Sequence, residues 1–155
     1  MLNRFEQFSV AIGGIYRYIQ KLERDEMEKY GYKGAFAQYL VVLHRYPNGV
    51  TASQLCEICD KDKAAISRIV TEMVEKGLIV RVGGRDGRYR AMLQLTGEGK
   101  QAAEYVCRKA KAAVEAVGQS MTDEERAAMY TALELIASKL YKLSKEGIPN
   151  HESDR

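Results

Sequence analysis

The chain has 155 residues, 46% of them hydrophobic and 29% charged, which is the balance of one globular domain with a core of its own. No apolar run approaches the length of a membrane span, and Met1 to Tyr18 carries Arg4 and Glu6, so neither a spanning helix nor a secretory leader is expected. The net charge of +3 is too mild to name a partner, but it is unevenly placed. Between Lys61 and Arg90 eight basic residues face four acidic ones, leaving +4 there and −1 over the rest. That concentration is an electrostatic footprint for phosphate, or else a solvated basic face.

In chain order, residues from about Asn3 to Tyr30 read as a long helix, with Phe5, Phe8, Ile12, Ile15, Tyr16, Ile19 and Leu22 at helical spacing and Gly31 as the stop. Lys33 to Tyr46 reads as a second helix with Phe36, Leu40, Val41 and Leu43 on one face, broken by Pro47-Asn48-Gly49. Thr51 is the expected N-cap of a short helix from Ala52 to Cys59, with Leu55 and Ile58 inward.

Asp62 caps the next helix, which Gly77 ends. Its apolar residues Ile66, Ile69, Val70, Met73 and Val74 form one stripe. Its opposite face carries Ala64, Ser67, Arg68 and Thr71, which are small, hydroxylated or cationic. A face of that kind can approach a base-pair edge without a bulky side chain in the way.

Leu78 to Val82 reads as a strand, Gly83 to Arg88 as a charged turn, and Tyr89 to Leu95 as a returning strand. Thr96 caps a helix running to about Gly118. Thr122-Asp123-Glu124-Glu125 has the form of a capping box and opens a last helix to about Lys145. Along it Met129, Leu133, Ile136, Leu140 and Leu143 keep the 3–4 spacing that suits helix–helix packing, between subunits or within one.

The order helix, short helix, capped helix, strand, basic turn, strand is that of a winged helix-turn-helix. The expected fold class is mainly α with a small two- to three-stranded wing. The winged lobe covers about residues 33–96, between N- and C-terminal helices at about 1–30 and 97–146.

Five segments together resemble the MarR family of bacterial transcriptional regulators. They are Val50 to Leu55, Asp62 to Arg68, Glu75-Lys76-Gly77-Leu78-Ile79, Asp86-Gly87-Arg88 and Leu95-Thr96-Gly97-Glu98-Gly99. The resemblance covers nearly the whole chain. It implies a homodimer knitted by the first helix and the last two, which makes about 1–30 and 97–146 the dimerisation helices, bound to double-stranded DNA at a pseudo-palindrome. Repression is the implied output, with release by a small phenolic or aromatic ligand.

In that setting Lys61, Lys63, Ala64, Ser67, Arg68, Thr71, Arg85 and Arg88 are the expected DNA-binding residues. By the same resemblance, Asp86 and Arg88 hold the wing together. Tyr16, Tyr30, Tyr32 and Tyr39 fall where a ligand crevice would lie, although tyrosine is also an ordinary half-buried residue.

Cys56 and Cys59 invite a thiol-based redox reading or a zinc reading. A structural zinc site needs four ligands, and Cys107, His44 and His151 are scattered, so no metal and no cofactor is expected. Small buried hydrophobes in a reducing cytoplasm are the plainer account of the cysteines. The chain shows no glycine-rich phosphate loop, H-E-x-x-H or G-x-S-x-G, so an enzyme is not expected. A winged helix used only for protein contact is the remaining alternative, and the basic concentration argues against it.

Overall fold

A computed structural model describes residues 3–84 and 90–149. The chain divides into two compact units, Met1–Ala112 and Ala113–Arg155.

In the first unit, α1 (Arg4–Tyr30) opens on Asn3, whose side chain accepts from the Glu6 N–H while Glu6 accepts from the Asn3 N–H. It closes at Gly31, whose φ of 106° is one that a side chain resists. Along α1 only Gly14 and Met27 are buried, and Phe5 at its start is 74% exposed. The expected second helix begins as a 3₁₀ turn, Gly34–Phe36, and continues as α2 (Ala37–Arg45). Phe36, Leu40 and Leu43 enter the core as expected, and Val41 packs at its edge.

The helix-turn-helix follows. α3 (Ala52–Cys59) is capped by Thr51 in a reciprocal box with Gln54. Asp60 turns the chain with φ 50°, and Asp62 accepts from the Ala65 N–H at 2.8 Å to open α4 (Lys63–Glu75). Leu55 is fully buried, but the expectation for Ile58 fails, because it is 41% exposed. Three residues on, it lies about 60° round the helix from Leu55, enough to carry it off the buried side of α3.

The wing is a three-stranded antiparallel sheet in the order β1-β3-β2. Its members are β1 (Val50–Thr51), β2 (Ile79–Val82) and β3 (Met92–Leu95). Val50 faces Leu93, and Ile79 to Val82 run opposite Leu95 to Met92. Among the described residues the returning strand runs Met92–Leu95 and includes neither Arg90 nor Ala91, while Tyr89 lies outside the described residues. Arg90 has φ 56°, a left-handed turn conformation that a ladder residue does not adopt.

The core joins all these elements. Met27, Phe36, Leu40, Leu43, Leu55, Ile66, Met73, Leu78, Ile79 and Val106 are its largest buried side chains. Val106 comes from α5 (Gly97–Gly118), which Thr96 opens by accepting from the Gly99 N–H at 3.1 Å.

In the second unit, Thr122 and Glu125 form the expected capping box at the start of α6 (Asp123–Glu146). Arg126 donates to the carbonyls of Gly118 at 2.9 Å and Met121 at 3.3 Å, and to Asp123 at 3.0 Å. A cation at the last carbonyls of a helix is favourably placed. No residue of α6 is buried, and Leu140 of its apolar stripe is 51% exposed. Among the described residues no helix is long and apolar enough to cross a membrane.

Candidate nucleic-acid interface

The two faces of α4 have opposite fates. Ile66, Ile69, Val70 and Met73 are buried against the rest of the unit, which fixes the depth of the helix. Lys63, Ala64, Ser67, Arg68 and Thr71 are all exposed on the other side. The hydroxyl of Thr71 already donates to the Ser67 carbonyl at 2.9 Å. It therefore meets a ligand chiefly as an acceptor, with its methyl group beside it. Glu72 lies on the flank of the helix and is paired with Lys33 at 2.9 Å. That half-exposed pair contributes no more than about 1 kcal/mol, but it neutralises an acid near the exposed face.

An open groove of 830 Å³ runs along this face. Ser53 and Cys56 of α3, Lys63, Ala64, Ser67 and Thr71 of α4 and Arg81 of β2 line it, together with the apolar Ile66, Val70 and Leu93. The structure thus brings four of the expected residues to one surface, with Arg68 exposed on the same helix. Arg81 is a site residue that the sequence reading did not single out. The available signal was the two-residue period of β2: Arg81 follows Ile79 by two and so shares its face of the sheet. Lys61 is exposed but lines a different pocket, of 140 Å³, with Gln20, Glu23, Arg24, Gly34 and Gln38. Burial pushes the Glu23 carboxyl above the usual carboxylate range, with Arg45 pulling the other way. Arg85, Asp86 and Arg88 lie outside the described residues.

The four tyrosines expected at one crevice are found in three places. Tyr16 is exposed on α1, where its hydroxyl accepts from Gln20 at 2.8 Å. Tyr39 is 5% exposed within the core. Only Tyr30 and Tyr32 adjoin, with ring centres 6.0 Å apart. Their third neighbour is Tyr105 of α5, 4.9 Å from Tyr30, whose hydroxyl donates to Glu26 at 3.0 Å. Tyr105 escaped the sequence reading because it is far away in the chain.

The cysteines are free and half-buried. Burial pushes the Cys59 thiol up to about 11, against the pull of Lys61, and raises the Cys107 thiol as well. A thiol at that value is ionised at neutral pH on the order of once in 10⁴ molecules, and the thiolate is the reactive form. This speaks against Cys59 as the nucleophile of an oxidation sensor. Among the described residues no three His, Cys, Asp or Glu side chains are grouped to hold a metal ion.

Residues 30–88, from the end of α1 into the wing, match the model of the MarR family. No curated protein matches the chain. Solved structures extend the likeness beyond the lobe. A MarR transcriptional regulator from Methanosarcina mazei Go1 is 25% identical, with a TM-score of 0.76 over 89% of this chain and 99% of that one. A MarR family transcriptional regulator from Listeria monocytogenes, solved with a 26mer DNA, is 19% identical, with a TM-score of 0.72 over 97% of this chain and 99% of that one. MepR from Staphylococcus aureus, solved in a DNA complex, is 17% identical, with a TM-score of 0.68 over 86% and 97%.

Proposed function

We propose that the chain, whose residues 30–88 match the model of the MarR family, is a sequence-specific DNA-binding regulator of transcription of that family, acting as a homodimer. The observation that carries this reading is the outer face of α4. It is held out by a buried stripe and brings the small, hydroxylated or cationic side chains of Lys63, Ala64, Ser67 and Thr71 to a groove, which Ile66 and Val70 of the stripe also reach. Two similar structures were solved with DNA, and those complexes support the same use of the fold here.

In this reading Arg68, Ser67 and Thr71 meet base edges, and Ala64 permits the close approach. Lys63 and Lys61 flank the N-terminus of α4, where backbone N–H groups favour phosphate. Arg81 joins them from β2. Arg85, Asp86 and Arg88 lie outside the described residues, and the roles proposed for them are those the family resemblance implies: backbone contact for the two arginines and a wing-structuring pair for Asp86.

The homodimer is supported by apolar surface that the chain leaves uncovered. Phe5, Ile15 and Leu22 of α1 are exposed, as are Leu133 and Leu140 of α6. Two copies of α4 related by a two-fold axis would read half-sites about one helical turn apart.

Occupying such a site blocks transcription, and release requires a ligand that favours a dimer with the wrong separation. The scattered tyrosines give weak support to a phenolic ligand. The pocket beside Lys61 is better suited to a polar one, since Arg24, Lys61 and Gln38 line it. A ligand held there would engage a lysine that this reading assigns to phosphate.

Salt titration of binding to duplex DNA tests the reading, with sedimentation of the free protein alongside. The expected result is a species of twice the chain's mass. Its log affinity falls linearly with log salt, by about 0.9 for each phosphate contact. Binding that ignores salt, or no binding to duplex at all, would favour the protein-contact alternative.

A further inference from the structure

Building on the DNA-binding reading above, we infer that Thr96 is a positioning residue that sets the angle of α4 for base recognition. α4 ends in a Schellman motif: the Gly77 N–H donates to the Val74 carbonyl and the Leu78 N–H to the Met73 carbonyl, each at 2.9 Å. Gly77 supplies the left-handed turn with φ 70°.

The next two carbonyls are both taken by one residue. The Thr96 hydroxyl donates to the Gly77 carbonyl at 2.6 Å, and the Thr96 N–H donates to the Leu78 carbonyl at 3.0 Å. The same hydroxyl accepts from the Gly99 N–H and so opens α5. Gly99 completes the joint. A Cβ there would lie 1.8 Å from the Leu78 carbonyl oxygen, so the two backbones meet with no side chain between them. One threonine therefore closes α4 and starts α5 at the same point.

The buried stripe of α4 sets how deep the helix lies, but apolar contacts are non-directional and leave its tilt loosely determined. The joint supplies directional bonds. α4 has 13 residues and is roughly 20 Å long. A tilt of about 3° at its C-terminal end moves the opposite end by about 1 Å, enough to spoil a hydrogen bond to a base edge. Ala64, Ser67 and Arg68 lie toward that moving end. Phosphate contacts made by long lysines tolerate such a shift, because a flexible stem carries a point charge.

The test compares full-length wild type, Thr96→Val and Thr96→Ser on a duplex selected from a random pool and on a scrambled duplex, across a salt series. Thr96→Val should bind the selected duplex roughly tenfold more weakly and the scrambled one as before, with the salt slope unchanged. Thr96→Ser, which keeps the hydroxyl, should restore the preference. Should Thr96→Val not fold, Thr96→Ala carries the same comparison, because it removes the hydroxyl without adding a methyl group in its place. Full preference in the hydroxyl-less variant overturns the inference. So does an equal loss on both duplexes with a shallower salt slope, which would mark a lost phosphate contact, and so does failure of Thr96→Ser to restore. Wild type without any preference would instead take down the DNA-binding reading, and the role of Thr96 with it.

Discussion

Arg68→Ala weakens binding to the preferred duplex by about 1–3 kcal/mol, roughly 5- to 150-fold, and relaxes the preference at one base position in each half-site. The expectation follows from where the side chain sits. Arg68 is exposed on the second turn of α4, one residue after Ser67 and three before Thr71, opposite a stripe in which Ile66, Ile69, Val70 and Met73 are buried. The acid nearest in sequence on this helix, Glu72, is already paired with Lys33, which leaves the guanidinium available to a base. Its planar fork matches the two acceptors of guanine, a fit that Lys would not reproduce. The contrasting variant is Lys63→Ala, which should weaken all duplexes alike and lower the salt slope by about 1. Competition binding on single-base variants of the selected sequence separates the two behaviours. An Arg68→Ala protein that keeps its affinity and every base preference would remove Arg68 from the reading surface.

The largest expected effect on stability belongs to Gly99→Ala. The added methyl would lie 1.8 Å from the Leu78 oxygen and 2.8 Å from its carbonyl carbon, and both are backbone atoms with no rotamer to move aside. Either β2 or the first turn of α5 must shift, which breaks the Thr96 bonds that join them. Overpacking of a rigid site costs about 3 kcal/mol, toward the upper end of single substitutions. For a chain of this length that lowers the melting temperature by roughly 6–12 °C in a thermal scan. Gly97→Ala, two residues earlier, meets no atom within 4 Å and should melt close to wild type.

Local signals were readable before the fold. Thr51, Asp62, Thr96 and Thr122 were each readable as helix starts from residue type and local pattern, and each makes its capping bond. Capping depends on three or four consecutive residues, so it survives without tertiary knowledge. The buried stripe of α4 was readable for a similar reason, since its period is internal to the helix.

What was missed depends on distant partners. β1 is two residues long and exists only because Val50 and Thr51 lie against Leu93 and Met92. Ile58 looked inward by spacing, but an eight-residue helix in contact along one edge buries a narrow strip, and Leu55 fills it. Arg81 joined the candidate surface only once β2 was laid beside α4. Tyr105 joined Tyr30 only once α5 was laid beside α1. The tyrosine crevice failed to gather for the converse reason. Position along the chain, by resemblance, placed four rings at one crevice, and packing sent Tyr39 into the core and Tyr16 to the surface.

The central claim is that the outer face of α4 reads DNA sequence in two symmetric copies, and selection of bound duplexes from a random pool tests it most directly. The expected result is enrichment of a pseudo-palindrome whose half-sites lie about 10 base pairs apart, centre to centre, and loss of one specified position per half-site with Arg68→Ala. Recovery of unenriched sequence, or of a motif without two-fold symmetry, would contradict it.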